Sequence, residues 1–269
     1  MELFWKAALQ GIVQGITEFL PVSSTGHLIL MGNFLNMGNG GFVKMFNVVI
    51  QLASILAVVI YFHKKLIPAE MFRDRAVRND TLGIWFKTAA GVLPILIIGF
   101  LAARWVEAIQ EQPLIVAGAL FAGGVLLLRI EDWCRTSHPV SSMAELPYKA
   151  AILIGLIQCL AMIPGTSRSA ATIIGALALG AARPLAAEFS FFLAIPTMAA
   201  ASGYSLLKHG GAMTGEQWIA LAVGFGMSFL VSLGVIAWLM NFIRTRTFKV
   251  FGWYRILLAA AVVIWMWLK

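Results

Sequence analysis

The sequence is poor in charged residues. Asp, Glu, Lys and Arg together make up 12% of its 269 residues, about half of the roughly 25% that soluble domains carry. A chain with so few charged side chains cannot cover a compact core with a water-facing surface. Its hydrophobic share of 60% and mean hydropathy of +0.87 predict instead a protein whose apolar surface lies in lipid.

Cysteine is also scarce. Cys134 falls in a polar loop and Cys159 in an apolar stretch, so we expect two free thiols and no disulfide. The segment from Met1 to Lys6 has no basic stretch, and no small-residue cleavage site follows it, so no cleavable signal peptide is expected. The formal net charge of +8 lies mostly in loops between apolar runs, which indicates topology control and contact with anionic lipids rather than nucleic-acid binding.

Six apolar stretches predict membrane-spanning helices. Some are shorter than the ~20 residues that a straight span needs, so their boundaries carry an error of several residues. Tryptophans near several of the ends fit an interfacial aromatic belt. The stretches are Asn47–Phe62, Ile84–Trp105, Leu114–Leu128, Glu188–Leu207, Trp218–Met240 and Val250–Leu268.

Two further apolar segments, Leu3–Leu35 and Lys149–Gly180, are interrupted by polar residues around a proline. The interruptions are Glu18–His27 and Pro164–Ser169. Proline ends a helix, because it lacks the backbone N–H and clashes with the preceding turn. Ser and Thr after it are good first residues for a new helix. Each segment therefore predicts two half-helices joined by a polar turn, as either a kinked span or a re-entrant hairpin.

Loop charge favours the hairpins. The Lys64–Arg78 loop is basic and the next loop has no Lys or Arg, so the positive-inside rule places the first loop in the cytoplasm and the second outside. If Lys149–Gly180 crossed the membrane fully, the basic Arg244–Lys249 loop would fall outside. If that segment is a hairpin, Arg183 and the Arg244–Lys249 loop both lie inside. We therefore predict two re-entrant helix hairpins.

The two broken segments also resemble each other at an offset of 143 residues, at which Pro21 matches Pro164 and Ser24 matches Ser167. Each is followed by three predicted spans, and three crossings invert the second copy relative to the first. We predict one all-α polytopic membrane domain over residues 1–269, with inverted repeats at about 1–130 and 147–269 joined by a cytoplasmic loop. The hairpin tips then meet near the middle of the bilayer.

The hairpin tips carry the polar chemistry. Ionisable groups are costly within a bilayer and are functional candidates by default. Two helix N-termini favour an anion, and Arg168 offers a donor fork suited to phosphate. Ser24 is the candidate nucleophile. His27 lies on the same helical face as its candidate base, and Glu18 orients His27 or binds a cation. The structural alternatives are an ion pair between Glu18 and Arg168 that only holds the hairpins together, and a structural hydrogen bond from His27.

Two motifs, Gln14–His27 (QGITEFLPVSSTGH) and Pro164–Thr172 (PGTSRSAAT), are similar to those of the undecaprenyl-diphosphate phosphatases of the bacitracin-resistance type. The resemblance covers essentially the whole chain in length and span count. It implies hydrolysis of a C55 polyprenyl diphosphate to the monophosphate that carries cell-wall precursors, in the bacterial cytoplasmic (inner) membrane. Its expected partners are the lipid substrate and membrane lipids, without nucleic acid, and a homodimer stays open.

The expected site residues all lie in these two motifs. Ser24, His27, Glu18 and Arg168 are the expected catalytic group. The family's acidic motif accepts Glu or Gln first, which here is Gln14, so Glu18 is the one certain carboxylate and the candidate ligand for an implied Mg²⁺ or Ca²⁺. The expected substrate-binding residues are Gln14, Ser23, Thr25, Thr166, Ser167, Ser169 and Thr172.

A polyprenyl-phosphate flippase or transporter is the main alternative. Inverted repeats with broken helices are typical of transporters, and fold alone does not decide function. Ser24 close to His27 and Arg168 favours an enzyme, because transport requires no nucleophile. A purely structural scaffold would leave the tip residues unexplained.

Overall fold

A computed structural model describes residues 2–37, 40–109, 112–134, 137–209 and 213–267. Within these ranges the chain is helical, and its β-structure is one isolated bridge. Short 3₁₀ turns occur at Ala69–Phe72 and Cys159–Met162. The α-helices are α1 (Glu2–Thr17), α2 (Ser24–Phe34), α3 (Gly41–Tyr61), α4 (His63–Leu66), α5 (Arg75–Ile109), α6 (Pro113–Trp133), α7 (Tyr148–Gln158), α8 (Arg168–Ala178), α9 (Arg183–His209), α10 (Gly215–Thr245) and α11 (Lys249–Trp267).

The six predicted spans and the all-α fold class are confirmed. The helices α3, α5, α6, α9, α10 and α11 are each long and apolar enough to cross a membrane. Helix α5 begins at Arg75, well before the predicted start at Ile84, because the apolar run marks only the lipid-facing part of a helix whose first turns are polar. It also continues past Pro94. The predicted end at Leu268 lies outside the described residues.

The second broken segment folds back on itself. Val140, which precedes α7, forms a parallel bridge with Ala181, which follows α8. The Val140 N–H donates to the Gly180 carbonyl at 2.9 Å, and the Ala182 N–H donates to the Val140 carbonyl at 2.8 Å. Both ends of this segment therefore lie at the same end of the molecule, which is consistent with a re-entrant hairpin.

The first broken segment has the same form. Gln10 on α1 donates to the Leu28 carbonyl on α2 at 3.1 Å. Leu3 at the start of α1 and Met37 just after α2 pack against the same apolar cluster, together with Phe42 at the start of α3. The start of α1 and the end of α2 thus pack against the same cluster.

The helices of each half pack mainly against helices of the other half. Helix α1 packs most extensively against α10, and α7 against α5, while α6 pairs with α11 and α3 with α9. Glycines allow the backbones to approach at three of these crossings. A Cβ at Gly11 would meet the Gly224 carbonyl, and one at Gly155 would meet the Gly91 carbonyl. At the third crossing, Gly124 and Gly252 face each other. A two-fold relation between the halves would produce these pairings, and the repeat boundaries stay a prediction.

Candidate active site

Each hairpin tip ends in a serine with a left-handed backbone. Ser23 has φ 73° and Ser167 has φ 71°, a conformation that costs a non-glycine residue about 1–3 kcal/mol and is usually found at functional sites. The Ser23 hydroxyl accepts from the Gly26 N–H at 3.3 Å, and the Ser167 hydroxyl accepts from the Ala170 N–H at 3.2 Å. By its backbone conformation, Ser167 therefore corresponds to Ser23, one residue before the predicted match, Ser24.

Glu18 accepts hydrogen bonds from side chains of both hairpins. Its carboxylate is almost fully buried, with 5% of the residue exposed. One oxygen, Oε1, accepts from Arg168 Nη2 at 3.0 Å. The other, Oε2, accepts from the Ser24 hydroxyl at 2.8 Å and from Gln14 Nε2 at 2.8 Å. The structure thus brings the predicted nucleophile, carboxylate and guanidinium together at one point.

Arg168 is held from behind by α9. Its Nη1 donates to the Ser190 carbonyl at 2.8 Å, and the Thr172 hydroxyl donates to Ser190 Oγ at 2.6 Å. Thr172 is fully buried. It holds Ser190 behind Arg168 and does not line the cavity, where it was expected. Arg168 Nε is buried and has no acceptor among the described residues.

His27 makes no hydrogen bond to the Ser24 side chain. Its Nδ1 lies 2.8 Å from the Ser23 carbonyl, and its Nε2 lies 2.6 Å from the hydroxyl of Tyr254 on α11. The two rings stack at 5.6 Å. The predicted Ser24–His27 pair is therefore not formed. Helical side chains lean towards the helix start, so Ser24, the first residue of α2, reaches back to Glu18 while His27 meets α11.

A cavity of about 200 Å³ lies at the two tips. Its polar wall includes Glu18, Ser23–Thr25 and Ser167–Ser169, and Gln51 on α3 adds an amide. Of the expected substrate-binding residues, Ser23, Thr25, Ser167 and Ser169 line it, whereas Gln14, Thr166 and Thr172 lie outside its wall. Met162 and Met198 give the cavity an apolar side.

An aromatic cluster lies next to the site. Phe19, next to Glu18, packs edge-on against Phe191 at 5.0 Å, and Phe62 packs against Phe192 at 5.4 Å. The same buried cluster continues to Phe248 at the start of α11. This apolar cluster therefore extends from the residue beside Glu18 to the loop before α11.

The described residues of the site offer a divalent cation one carboxylate, Glu18, and the expected Mg²⁺ or Ca²⁺ stays a prediction. Glu18 already accepts three hydrogen bonds, and one donor is a guanidinium that neutralises its charge. Gln14 supplies an amide donor where a second carboxylate would be needed. Across the described ranges, no group of three or more His, Cys, Asp or Glu side chains could hold a metal ion.

Sequence reasoning missed Ser190, Tyr254 and Arg255. Arg255 had a detectable signal, because a cation inside an apolar span is a functional candidate. Ser190 and Tyr254 had none, since each gains its role from a contact with a residue more than a hundred positions away or on another helix.

The fold and the site together define a polytopic membrane protein with a serine, a carboxylate and a guanidinium at the junction of two broken helices. The family model "Bacitracin resistance protein BacA" matches residues 7–261, and this chain belongs to that family.

Three curated relatives show the extent of the similarity. An undecaprenyl-diphosphatase of Limosilactobacillus fermentum is 49% identical over 263 residues, covering 96% of this chain and 95% of the relative. Undecaprenyl-diphosphatase 1 of Clostridioides difficile is 45% identical, covering 100% and 97%. An undecaprenyl-diphosphatase of Enterococcus faecalis is 44% identical, covering 96% and 95%.

Proposed function

We propose that this protein hydrolyses undecaprenyl diphosphate to undecaprenyl monophosphate and inorganic phosphate in the bacterial cytoplasmic membrane, and so renews the lipid carrier of cell-wall precursors. The observation that carries the proposal is the Ser24 hydroxyl, which donates at 2.8 Å to a carboxylate paired with Arg168. This arrangement lies in a family whose relatives bear the name of the enzyme.

The diphosphate binds with its terminal phosphate between the two helix starts. Helix N-termini favour anions, and Arg168 supplies a charged donor fork. A cavity of about 200 Å³ holds the headgroup only, so the prenyl chain leaves past Met162 and Met198 into lipid. Phosphate oxygens compete with Glu18 for Arg168, and their binding frees the carboxylate to accept a proton from Ser24.

In the first step the Ser24 Oγ attacks the terminal phosphorus. The bond from that phosphorus to the bridging oxygen breaks, and the electron pair leaves with undecaprenyl monophosphate. The hydroxyl proton passes to Glu18 Oε2. In the second step water attacks the phosphoserine, the bond to Oγ breaks, and Glu18 returns its proton to Oγ. The phosphate departs with both water protons, so one carboxylate serves as base and then acid.

His27 acts as a positioning residue in this proposal. Its bond to the Ser23 carbonyl fixes the strained residue that precedes the nucleophile. The Tyr254 hydroxyl in turn fixes the ring. No step passes through a metal ion, and the dependence on Mg²⁺ or Ca²⁺ that the family resemblance implies stays a prediction.

The experiment is phosphate release from a polyprenyl diphosphate by purified protein in detergent, with and without a chelator. Arg168→Lys should lose most hydrolysis although the charge is kept, because an ammonium cannot make the contacts of a guanidinium. The loss should fall mainly on kcat, since these contacts strengthen as charge shifts onto the phosphoryl group.

A lipid carrier without hydrolytic activity would behave differently. It would exchange polyprenyl phosphate across liposomes, release no phosphate as wild type, and respond to Arg168→Lys with weaker binding. That result would replace the phosphatase with the transporter.

A further inference from the structure

Arg255 is the largest fully buried side chain in the described part of the molecule. It lies on α11 and is 0% exposed. Within the described ranges it forms no ion pair, although removing an unpaired charge from water is expensive. A cation kept in such a place must be compensated by other groups, and those groups indicate what the residue does.

Backbone carbonyls surround the guanidinium. Its Nη1 donates to Pro21 at 3.1 Å, and its Nη2 lies 3.0 Å from both Gly165 and Thr166. Further contacts reach Leu120 at 3.3 Å and Ala119 at 3.0 Å on α6. Arg255 thus holds the turns of both hairpins at once and fixes them to a spanning helix.

The contacted carbonyls lie directly before the reacting groups. Pro21 precedes Ser24 by one short turn, and Thr166 precedes Arg168 by two residues. The C=O and N–H of a trans peptide point in opposite directions, so a Thr166 carbonyl bound to Arg255 turns the Ser167 N–H away from it. That N–H makes no hydrogen bond to another described residue, and Ser167 lines the cavity.

We propose that Arg255 is a positioning residue of the site, which holds the two hairpin tips at the separation where Ser24 and Arg168 meet at Glu18 and turns the Ser167 N–H towards the bound phosphate. The inference rests on the proposed function for its kinetic readout. A guanidinium is needed because its fixed fork of five donors serves carbonyls on three elements, which a single ammonium cannot do.

Gly123 offers a way to move Arg255 without changing its charge. A Cβ added at Gly123 on α6 would meet Arg255 Nη2 and would lie 2.9 Å from Cζ. Gly118 on the same helix has nothing within 4 Å of its Cβ position. Gly123→Ala and Gly118→Ala therefore add the same methyl group to the same helix, and only the first displaces the guanidinium.

The test compares Gly123→Ala, Gly118→Ala and Arg255→Lys in phosphate release and in binding of a methylene-bridged analogue of farnesyl diphosphate. Gly123→Ala and Arg255→Lys should each lower kcat by about 10²-fold, the effect of displacing reacting groups by about 1 Å, and weaken analogue binding several-fold. Gly118→Ala should match wild type in both.

Lys87→Met controls for the loss of a buried cation that binds carbonyls. Lys87 Nζ donates to the Met143 and Ala144 carbonyls at 2.7 and 2.8 Å, and none of these three residues lines the cavity. This variant should lower the thermal midpoint and keep the kcat of the folded protein. If Arg255→Lys behaves in the same way, and Gly123→Ala matches Gly118→Ala, Arg255 is structural only and the inference fails.

The two proposals fail separately. If the wild type binds the analogue but releases no phosphate, the phosphatase is wrong, while weaker binding by Gly123→Ala would still support positioning by Arg255. If the wild type hydrolyses and Gly123→Ala equals Gly118→Ala in both assays, only the role of Arg255 is lost.

Discussion

Glu18 is placed where one carboxylate can serve two partners. Its Oε1 faces the Arg168 guanidinium and its Oε2 faces the Ser24 hydroxyl, so each oxygen has a different task. In a low-dielectric surrounding, an unpaired charge on either residue would be costly. The pair is therefore stable without substrate, and phosphate can replace Glu18 at Arg168 without leaving the guanidinium unpaired.

Replacing Ser24 by alanine should abolish turnover and leave binding of a non-hydrolysable diphosphate nearly unchanged. The variant removes the attacking oxygen and one of three hydrogen bonds to Glu18, while Arg168 and both helix starts stay in place. Loss of an activated nucleophile costs orders of magnitude in rate. Phosphate release measures the first effect, and isothermal titration with the methylene-bridged analogue measures the second. Near-normal turnover would transfer the attack to Ser23 or to water.

Replacing His27 by glutamine should reduce kcat/KM about tenfold, because the glutamine amide can replace only part of the contact with the Ser23 carbonyl. A positioning residue is expected to have this partial effect, whereas loss of the general base costs about 10²–10⁴-fold. Initial rates of phosphate release measure the ratio of the variant to the wild type. A loss as large as that of Ser24→Ala would return the base to the histidine.

The residues of the site were largely predictable from the sequence, but their partners were not. Ser24, Glu18 and Arg168 stand out because polar groups are rare in apolar segments. The i, i+3 spacing of Ser24 and His27 suggested a pair, yet spacing gives a shared face and not a contact. His27 instead forms a hydrogen bond to Tyr254, which is 227 residues away along the chain.

At the scale of elements, glycine determines how closely the hairpins approach the long helices. Gly155 on α7 lies against the Gly91 backbone on α5, where a Cβ would be 3.0 Å from the Gly91 Cα and closer still to the carbonyl. Gly11 on α1 has the same relation to Gly224 on α10. Small residues allow helix backbones in a membrane to pack at such distances.

Gly155→Ala should therefore destabilise the protein by about 1–3 kcal/mol, the usual cost of adding a methyl group to a packed core. The neighbour at this crossing is backbone, which cannot rotate away. A thermal melt in detergent measures the effect. Gly83→Ala on α5 is the matched control, because its Cβ position has nothing within 4 Å, and it should leave the midpoint unchanged. Equal midpoints for the two variants would contradict the close crossing.

The hairpins themselves were predictable because proline and serine interrupt apolar segments at matching places. The packing of α1 against α10 and of α7 against α5 was not predictable. The sequence shows that α1 and α7 carry small residues, but it does not show which helix packs against them. Ser23 and Ser167, which share a left-handed backbone, match at an offset of 144 residues, one more than the offset that aligns Pro21 with Pro164.

For the whole molecule, the basic loops gather at one end. Lys65 pairs with Glu188 at 2.6 Å, and Arg183 pairs with Glu131 at 2.6 Å. The Phe248 N–H donates to the same Glu131 at 2.7 Å. These contacts bring the loops after α3, α6, α8 and α10 together, as the charge distribution of the sequence predicts.

The last prediction concerns the orientation of the molecule in the membrane. The loops that span Leu66–Leu82 and Ile243–Phe248 should lie in the cytoplasm, and both termini should lie outside, because basic loops are retained on the cytoplasmic side. Arg73→Cys and Arg246→Cys place a thiol at exposed positions of these two loops. Both are made in a background that lacks Cys134 and Cys159, and an impermeant maleimide is applied to intact cells.

Neither thiol should react until the cells are permeabilised, whereas Glu216→Cys, at the opposite end of α10, should react at once. Labelling of Arg73→Cys alone from outside would mean that the first half is oriented the other way. Labelling of Arg246→Cys alone would mean that Lys149–Gly180 crosses the membrane fully. In that case the two helix starts would not point at each other from opposite sides of the membrane, and the halves would not be inverted repeats. The predicted position of the site at the middle of the bilayer depends on that inverted relation.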